Sequence, residues 1–380
     1  MSSTLELTRA LIDKASITPG DAGCQQLLAE RLKPLGFNVE YLPFGDVSNV
    51  IFTHGQANGV DEPSLWFLGH TDVVPPGPLE DWTSPPFLSE VRDGVLYGRG
   101  AADMKGAVAA MVIAAEALVR ENPRHRGQIG ILLTSDEEGD AVDGIRRVAE
   151  LLRERQTIPT YCLVGEPSSA VRLGDVVRIG RRGSTHARLK VHGIQGHSAF
   201  PDKLDNPIHR LASFLNELTT LEWDKGDENF PPTHCQVTNF HSGTGAENVT
   251  PGHADVLINF RNCPASPSLE IKGRFEALLS KHGIESHELE WWISGDAFRS
   301  PAGALRKTVV GVIRDELGVE PELNTGGGTS DGRFIAPLGS EVLELGLLNE
   351  SIHKIDENTS IDDLEALTLA YKSIMTKLLA

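Results

Sequence analysis

Over the first 180 residues, short apolar runs that turn polar at their ends alternate with stretches of helical periodicity. "SLWFLGHTDVV" (64–74), "IGILLTSDEE" (129–138) and "TYCLVGEP" (160–167) predict buried strands. "GAVAAMVIAAEALVREN" (106–122), Ala-rich with apolar residues at helical spacing, and "DGIRRVAELLRER" (143–155) predict helices. So does the amphipathic stretch "MSSTLELTRALIDKAS" at the N-terminus. Strands alternating with helices imply an α/β sheet covered on both faces.

The pattern then changes. "HARLKVHG" (186–193), "CQVTNFHSG" (235–243) and "ADVLINFRN" (254–262) alternate apolar with polar, as half-buried strands do. "NPIHRLASFLNELTTLE" (206–222) and "SLEIKGRFEALLSKHG" (268–283) predict helices, and "HELEWWISG" (287–295) a further strand. The order β-α-β-β-α-β is that of a ferredoxin-like unit. From about residue 296 the chain returns to helices and buried strands. The expected fold is an α/β domain, a mixed sheet covered by helices, built from residues 1–182 and 296–380. A smaller ferredoxin-like α+β domain, 183–295, is inserted in it.

Composition narrows the function. The 380 residues carry 40% hydrophobic and 23% charged side chains, an ordinary globular balance. No apolar run approaches the ~18 residues of a membrane helix. The N-terminal stretch carries acidic residues and lacks a basic segment before an apolar one, so it does not resemble a signal peptide. A net charge of −18 argues against nucleic-acid binding, which rests on clustered Lys and Arg. An anionic substrate would need locally placed arginines. Cys24, Cys162, Cys235 and Cys263 are widely spaced without a C-x-x-C pair. Reduced thiols in a cytoplasmic protein are expected.

The candidate chemistry sits where the apolar strands end. His70 and Asp72 close the first, Glu137 and Glu138 the second, Glu166 the third. Asp103 lies in the loop "GRGAADMKG", and His353 follows the apolar "EVLELGLL". Ligands of open α/β sheets bind beyond the carboxyl ends of the strands, so these residues can meet at one edge. A lone histidine, or an acid at a strand end, is more often structural than a ligand. The joint arrangement carries the argument. Mixed imidazole and carboxylate donors suit Zn²⁺, Mn²⁺ or Co²⁺. The set is too large for one catalytic zinc and suits two ions sharing a bridging carboxylate. Adjacent Glu137 and Glu138 then divide the work, one as ligand and one as general base.

The stretches "GHTDVVPPG", "DGVLYGRGAADMKG", "TSDEEGDAVDG", "VGEPSS", "GRRGS", "GIQGHSAFP", "GGGTSDGRF" and "SIHKID" resemble the di-zinc metallopeptidase and deacylase family that includes acetylornithine deacetylase. The resemblance runs from residue 17 to 356, and "SITPGDAGCQ" and "EEGDAVDG" tilt it towards members acting on succinylated diaminopimelate. It implies a zinc pair, replaceable by cobalt or manganese, that hydrolyses N-succinyl-L,L-2,6-diaminopimelate in lysine and diaminopimelate biosynthesis. The alternatives are another N-acyl amino acid deacylase or a dipeptidase; a non-catalytic metal-binding protein is the remaining reading. His70, Asp103 and Glu166 would hold one ion, Asp103, Glu138 and His353 the other, and Asp72 would orient His70. Glu137 would be the general base. The inserted domain would form a homodimer and supply His197 to the partner's site. Arg181, Ser184, Asn248, Arg261, Gly327 and Thr329 would contact substrate. One departure is Glu247-Asn248, where two asparagines are expected.

Overall fold

The computed structural model describes residues 3–59 and 61–379. The chain divides into two compact units. The first comprises residues 1–180, 299–324 and 330–380; the second comprises 181–298 and 325–329.

The first unit is built on an eight-stranded mixed sheet. At its centre Gln128–Thr134, Ser64–His70, Tyr161–Val164 and Glu341–Glu344 run parallel in that spatial order. Ser64–His70 is buried along its whole length, which is why it reads as a continuous apolar run. Asn49–Gly55 and Asn38–Tyr41 extend one side of the sheet antiparallel, and Val176–Arg178 and Glu322–Asn324 complete the other. Because His70 lies opposite Thr134 and Leu68 opposite Val164, the central strands end at nearly the same level. That common edge carries the residues expected to bind metal.

The helix Lys105–Glu121 is buried over most of its length. Its alanines are strong helix formers with little bulk, which allows close packing against Ile361–Leu379 and Ser3–Ile12. Gly106 is required there: a Cβ would lie 2.5 Å from the carbonyl oxygen of Ala101. Tyr371 packs on Phe67 with ring centroids 5.0 Å apart, and its hydroxyl donates to Leu345 O at 2.5 Å. These contacts belong to one core continuous from the first helix to the last.

The second unit has a four-stranded antiparallel sheet in the order His234–Ser242, His253–Asn262, Gly183–His192, His287–Gly295. With helices Pro207–Thr220 and Ser268–Lys281 this is the ferredoxin-like arrangement. Ala187, Leu189, Val191, Ala254, Val256, Ile258 and Phe260 alternate inward and pack against Leu211, Phe214, Ile271 and Phe275. Asn206 caps the first of these helices by accepting the N–H of Ile208 at 3.0 Å, and Pro207 occupies the first helical position. All four cysteines are buried and free. Among the described residues no helix is long and apolar enough to cross a membrane.

Candidate metal centre

At the carboxyl edge of the first unit's sheet, side chains distant in sequence come together. His70 ends its strand with the ring buried, and Nδ1–H donates to the main-chain carbonyl of Asp72 at 2.9 Å. This fixes the ring so that Nε2 faces Asp103 Oδ1 at 3.2 Å and Glu166 Oε1 at 3.6 Å. The other oxygen of Asp103 lies 3.4 Å from His353 Nε2, which is 3.1 Å from Glu138 Oε1. Among the described residues two groups therefore have the spacing of a metal site: His70, Asp103 and Glu166, and Asp103, Glu138 and His353. Asp103 is common to both.

The Asp72 carboxylate lies 3.6 Å from His70 Nδ1, and its hydrogen bonds go elsewhere. It accepts the backbone N–H of Glu137 at 3.4 Å and that of Glu138 at 3.1 Å. The "DEE" turn is thus pinned to the neighbouring strand through its main chain. Asp136 tightens the same turn by accepting the N–H of Val142 at 3.0 Å and of Asp143 at 3.2 Å. Gly346 lets the following segment pass Glu166, since a Cβ there would meet the Glu166 carbonyl oxygen at 2.3 Å. His353 is held at φ 60, a left-handed conformation that costs on the order of 1 kcal/mol for a residue with a Cβ.

The electrostatics call for cations. Burial pushes Glu166 well above the usual carboxylate range, and Glu137 and Asp103 push the same way. Glu137 is raised to about 8 by burial and by Asp331 and Glu138, against the pull of His70 and Arg333. For Asp103 burial opposes the charge, but hydrogen bonds from His353 and His70 outweigh it and hold the group well below its ordinary value. His353 is raised to about 10 by its bonds to Asp103 and Glu138. For His70 burial works against the charge, but Asp103, Glu166 and Asp72 raise the imidazole well above its ordinary value. Imidazole and carboxylate donors in two triads with one shared carboxylate fit a pair of divalent ions.

Residues 66–377 match peptidase family M20/M25/M40. The chain belongs to that family. It is 54% identical over 380 residues to the succinyl-diaminopimelate desuccinylase of Methylococcus capsulatus, covering 100% of both chains. It is 52% identical over 379 residues to the protein of the same name from Stenotrophomonas maltophilia, again covering 100% of both. Among solved structures, an M20 metallo-carboxypeptidase from Sulfolobus solfataricus superposes with a TM-score of 0.81 at 18% identity, over 100% of this chain and 99% of that one. A Bacillus subtilis protein described as a dinuclear metal binding peptidase of the M20 family gives 0.71 at 13%, over 98% and 97%. These two share the fold. As an M20 member at this level of likeness, the chain is a metal-dependent hydrolase.

The remaining candidate residues lie in the second unit. His197 sits on the two-residue strand Gly196–His197, paired with Val249–Thr250, and is exposed. Its Nδ1 accepts the N–H of Ala199 at 3.1 Å, which leaves the proton of a neutral ring on Nε2. The Asn248 amide lies 3.4 Å from that nitrogen. Arg181 is buried, and its Nη1 donates to the carbonyls of Gly326 at 2.9 Å and Gly328 at 3.2 Å. It thereby holds the segment that carries Gly327 and Thr329. Ser184 faces Arg261 across the strand pair. Its hydroxyl is 3.0 Å from His186 Nε2. Burial and the charge of Arg182 lower the pKa of Arg261. Glu247, beside Asn248, is exposed.

Sequence reading left some neighbours of the site unassigned. Asp331 is buried, neither of its oxygens has a hydrogen-bond partner, and Arg333 Nη2 stands 3.8 Å away. Burial raises this carboxyl to about 6. Arg99 and Glu357 form a buried pair beneath Asp103. Asp331, Arg333 and Arg99 lie in the stretches "GGGTSDGRF" and "GRGAADMKG", and Glu357 directly follows "SIHKID", but a charge in a motif does not announce its partner.

Proposed function

We propose that this chain hydrolyses the succinyl amide of N-succinyl-L,L-2,6-diaminopimelate, releasing succinate and L,L-diaminopimelate for lysine and diaminopimelate biosynthesis. The observation that carries the reading is the full-length 54% identity with the desuccinylase of Methylococcus capsulatus, whose whole length this chain spans. The donor set adds to it. His70, Asp103 and Glu166 would hold one ion, and Asp103, Glu138 and His353 a second; the imidazole and carboxylate chemistry favours zinc, with cobalt or manganese as substitutes. When bound, such a pair supplies Lewis acidity and a water acidic enough to lose a proton near neutral pH.

The chain's own residues then act in sequence. Glu137 takes a proton from the attacking water. The same group then protonates the departing amine as the amide C–N bond breaks. Asp72 keeps Glu137 and Glu138 in their separate roles through the main chain. His197, with its proton on Nε2, is assigned to the oxyanion of the tetrahedral intermediate in the partner subunit of a homodimer formed through the inserted domain. Arg181, Ser184, Asn248, Arg261, Gly327 and Thr329 are assigned to substrate. Arg261 is the stronger of the two arginine candidates, because Arg181 already donates to two carbonyls. Free, buried cysteines suit a reducing cytoplasm.

The deciding experiment is hydrolysis by zinc-reconstituted protein. N-succinyl-L,L-2,6-diaminopimelate should be cleaved at least about 100-fold more efficiently, by kcat/KM, than N-acetylornithine or a dipeptide. That ratio corresponds to roughly 2.7 kcal/mol of transition-state discrimination. A preference for N-acetylornithine would replace the proposed substrate with that of a related deacylase.

A further inference from the structure

The loop that carries His353 and the loop that carries Asp103 are joined beneath the metal centre by charges that take no part in it. Glu357 has no solvent exposure, and Arg99 is 2% exposed. Glu357 Oε2 accepts from Arg99 Nη1 at 2.7 Å. Glu357 Oε1 accepts the backbone N–H groups of Ala102 and Asp103, both at 3.0 Å. Arg99 Nη1 also donates to the carbonyl of Lys354 at 3.1 Å, the residue next to His353. One carboxylate and one guanidinium therefore grip both loops at once.

The surroundings make this more than a chance ion pair. Glu357 follows His353 by one short turn, in which His353 and Asp356 are both held at positive φ, 60 and 56. Left-handed residues with a Cβ persist only where other bonds over-determine them. Those bonds are present. The Glu357 carbonyl accepts the N–H of Gly98 at 2.9 Å. Asp356 accepts from the N–H of Thr83 at 2.9 Å and from its hydroxyl at 2.6 Å. Arg99 lies over the Trp82 ring at 5.1 Å. Asp103 has a further anchor, because Lys105, two residues along the chain, is buried and donates to the carbonyls of Leu11 at 2.9 Å and Lys14 at 2.8 Å. The His353 side chain, by contrast, is 50% exposed.

We propose that the Arg99–Glu357 pair is a positioning latch that sets His353 against Asp103 and thereby governs occupancy of the metal site formed by Asp103, Glu138 and His353. The inference rests on the two-ion reading above. Asp103 is common to both sites and its N–H is held by Glu357, but His70 and Glu166 stand at strand ends and Lys105 anchors the Asp103 loop separately, so loss of the latch falls chiefly on the second site. The two sites thus differ in how they are built, and the second is the one the chain can lose by a local change.

The test is stepwise Zn²⁺ binding to chelator-treated protein, followed by calorimetry. Wild type should take up two ions per chain. Glu357→Gln keeps the size of the side chain and an acceptor for the backbone N–H groups but removes the charge pairing with Arg99. It should weaken the second binding step about tenfold or more and change the first by less than about threefold, in the range typical of groups that support metal ligands. Arg99→Gln should do the same, and the double variant should add little to either. Equal weakening of both steps, or unchanged binding, overturns the latch. Failure of both single variants to fold without metal, judged by circular dichroism, also overturns it, because the pair would then serve the core. A wild-type protein that binds fewer than two ions would instead defeat the two-ion reading.

Discussion

Asp72 accepts the backbone N–H of Glu138 at 3.1 Å, joining the ends of two parallel strands beneath the metal centre. The bond runs to main chain, so the side chains of Glu137 and Glu138 stay free for different tasks. Asp72→Asn preserves the volume but turns one acceptor into a donor that faces an N–H group. The expected result is a 10- to 100-fold fall in kcat with zinc content retained. Metal analysis alongside steady-state kinetics checks it; loss of zinc in parallel with activity would place Asp72 with the ligands.

Glu137→Gln removes the base while keeping its shape. Turnover should fall by roughly 10²–10⁴, the usual contribution of a positioned acid–base group, with both ions still bound. A variant that turns over near the wild-type rate would require a different base.

Asp103 and His353 should differ in metal content. Asp103 reaches both imidazoles, one through each oxygen, whereas His353 serves one group only. His353→Ala should keep one tightly held ion, and Asp103→Ala should retain neither at wild-type affinity. Plasma emission analysis of dialysed protein distinguishes the outcomes. One full-affinity zinc in the Asp103 variant would contradict the shared role.

Stability of the second unit should carry a pH signature at Asp224. The carboxylate accepts the N–H of Gly226 at 2.9 Å and of Thr233 at 3.0 Å. Burial works against the charge, but hydrogen bonds from Ser266, Thr233 and Gly226 prevail and hold the group well below its ordinary value. A folded pKa below the unfolded value of about 3.9 gives stability that is fully present above that pH and fades as pH falls towards the folded value. Asp224→Ala should therefore lower the urea midpoint at pH 7, and the gap from wild type should narrow below about pH 4. A gap of constant size down to pH 3 would assign the loss to packing.

Much of this site could be read from the chain because strand ends are visible in sequence. An apolar run that stops at a polar residue marks both a strand and the edge where it ends, and His70, Glu137, Glu138 and Glu166 were found that way. The ferredoxin-like unit was legible for a related reason: Ala187 to Val191 and Ala254 to Phe260 keep strict alternation over one buried face. The antiparallel strands Asn38–Tyr41 and Asn49–Gly55 were not read, since the first is only partly buried and lacks a clear period. Nor could Arg99 be paired with Glu357 across 258 residues. A buried ion pair leaves no local pattern, because Arg99 stands among glycines and alanines and Glu357 among polar loop residues, and neither setting points to the other.

His197 belongs to the second unit, whereas Glu137 and the candidate metal ligands belong to the first. If His197 serves the partner subunit, a His197→Ala chain has an intact metal site but no imidazole to give its neighbour. A Glu137→Gln chain has the reverse defect. In a mixed dimer, one of the two sites would combine a wild-type Glu137 with a wild-type His197. Activity should then rise above that of either parent, towards at most half the wild-type value per mixed dimer. If His197 serves its own chain, every site in the mixture keeps one defect and mixing restores nothing. Differently tagged chains, purified through both tags in turn, isolate the mixed dimer and establish that exchange has occurred. With the mixed dimer in hand, activity no greater than that of the parents would remove His197 from the shared site.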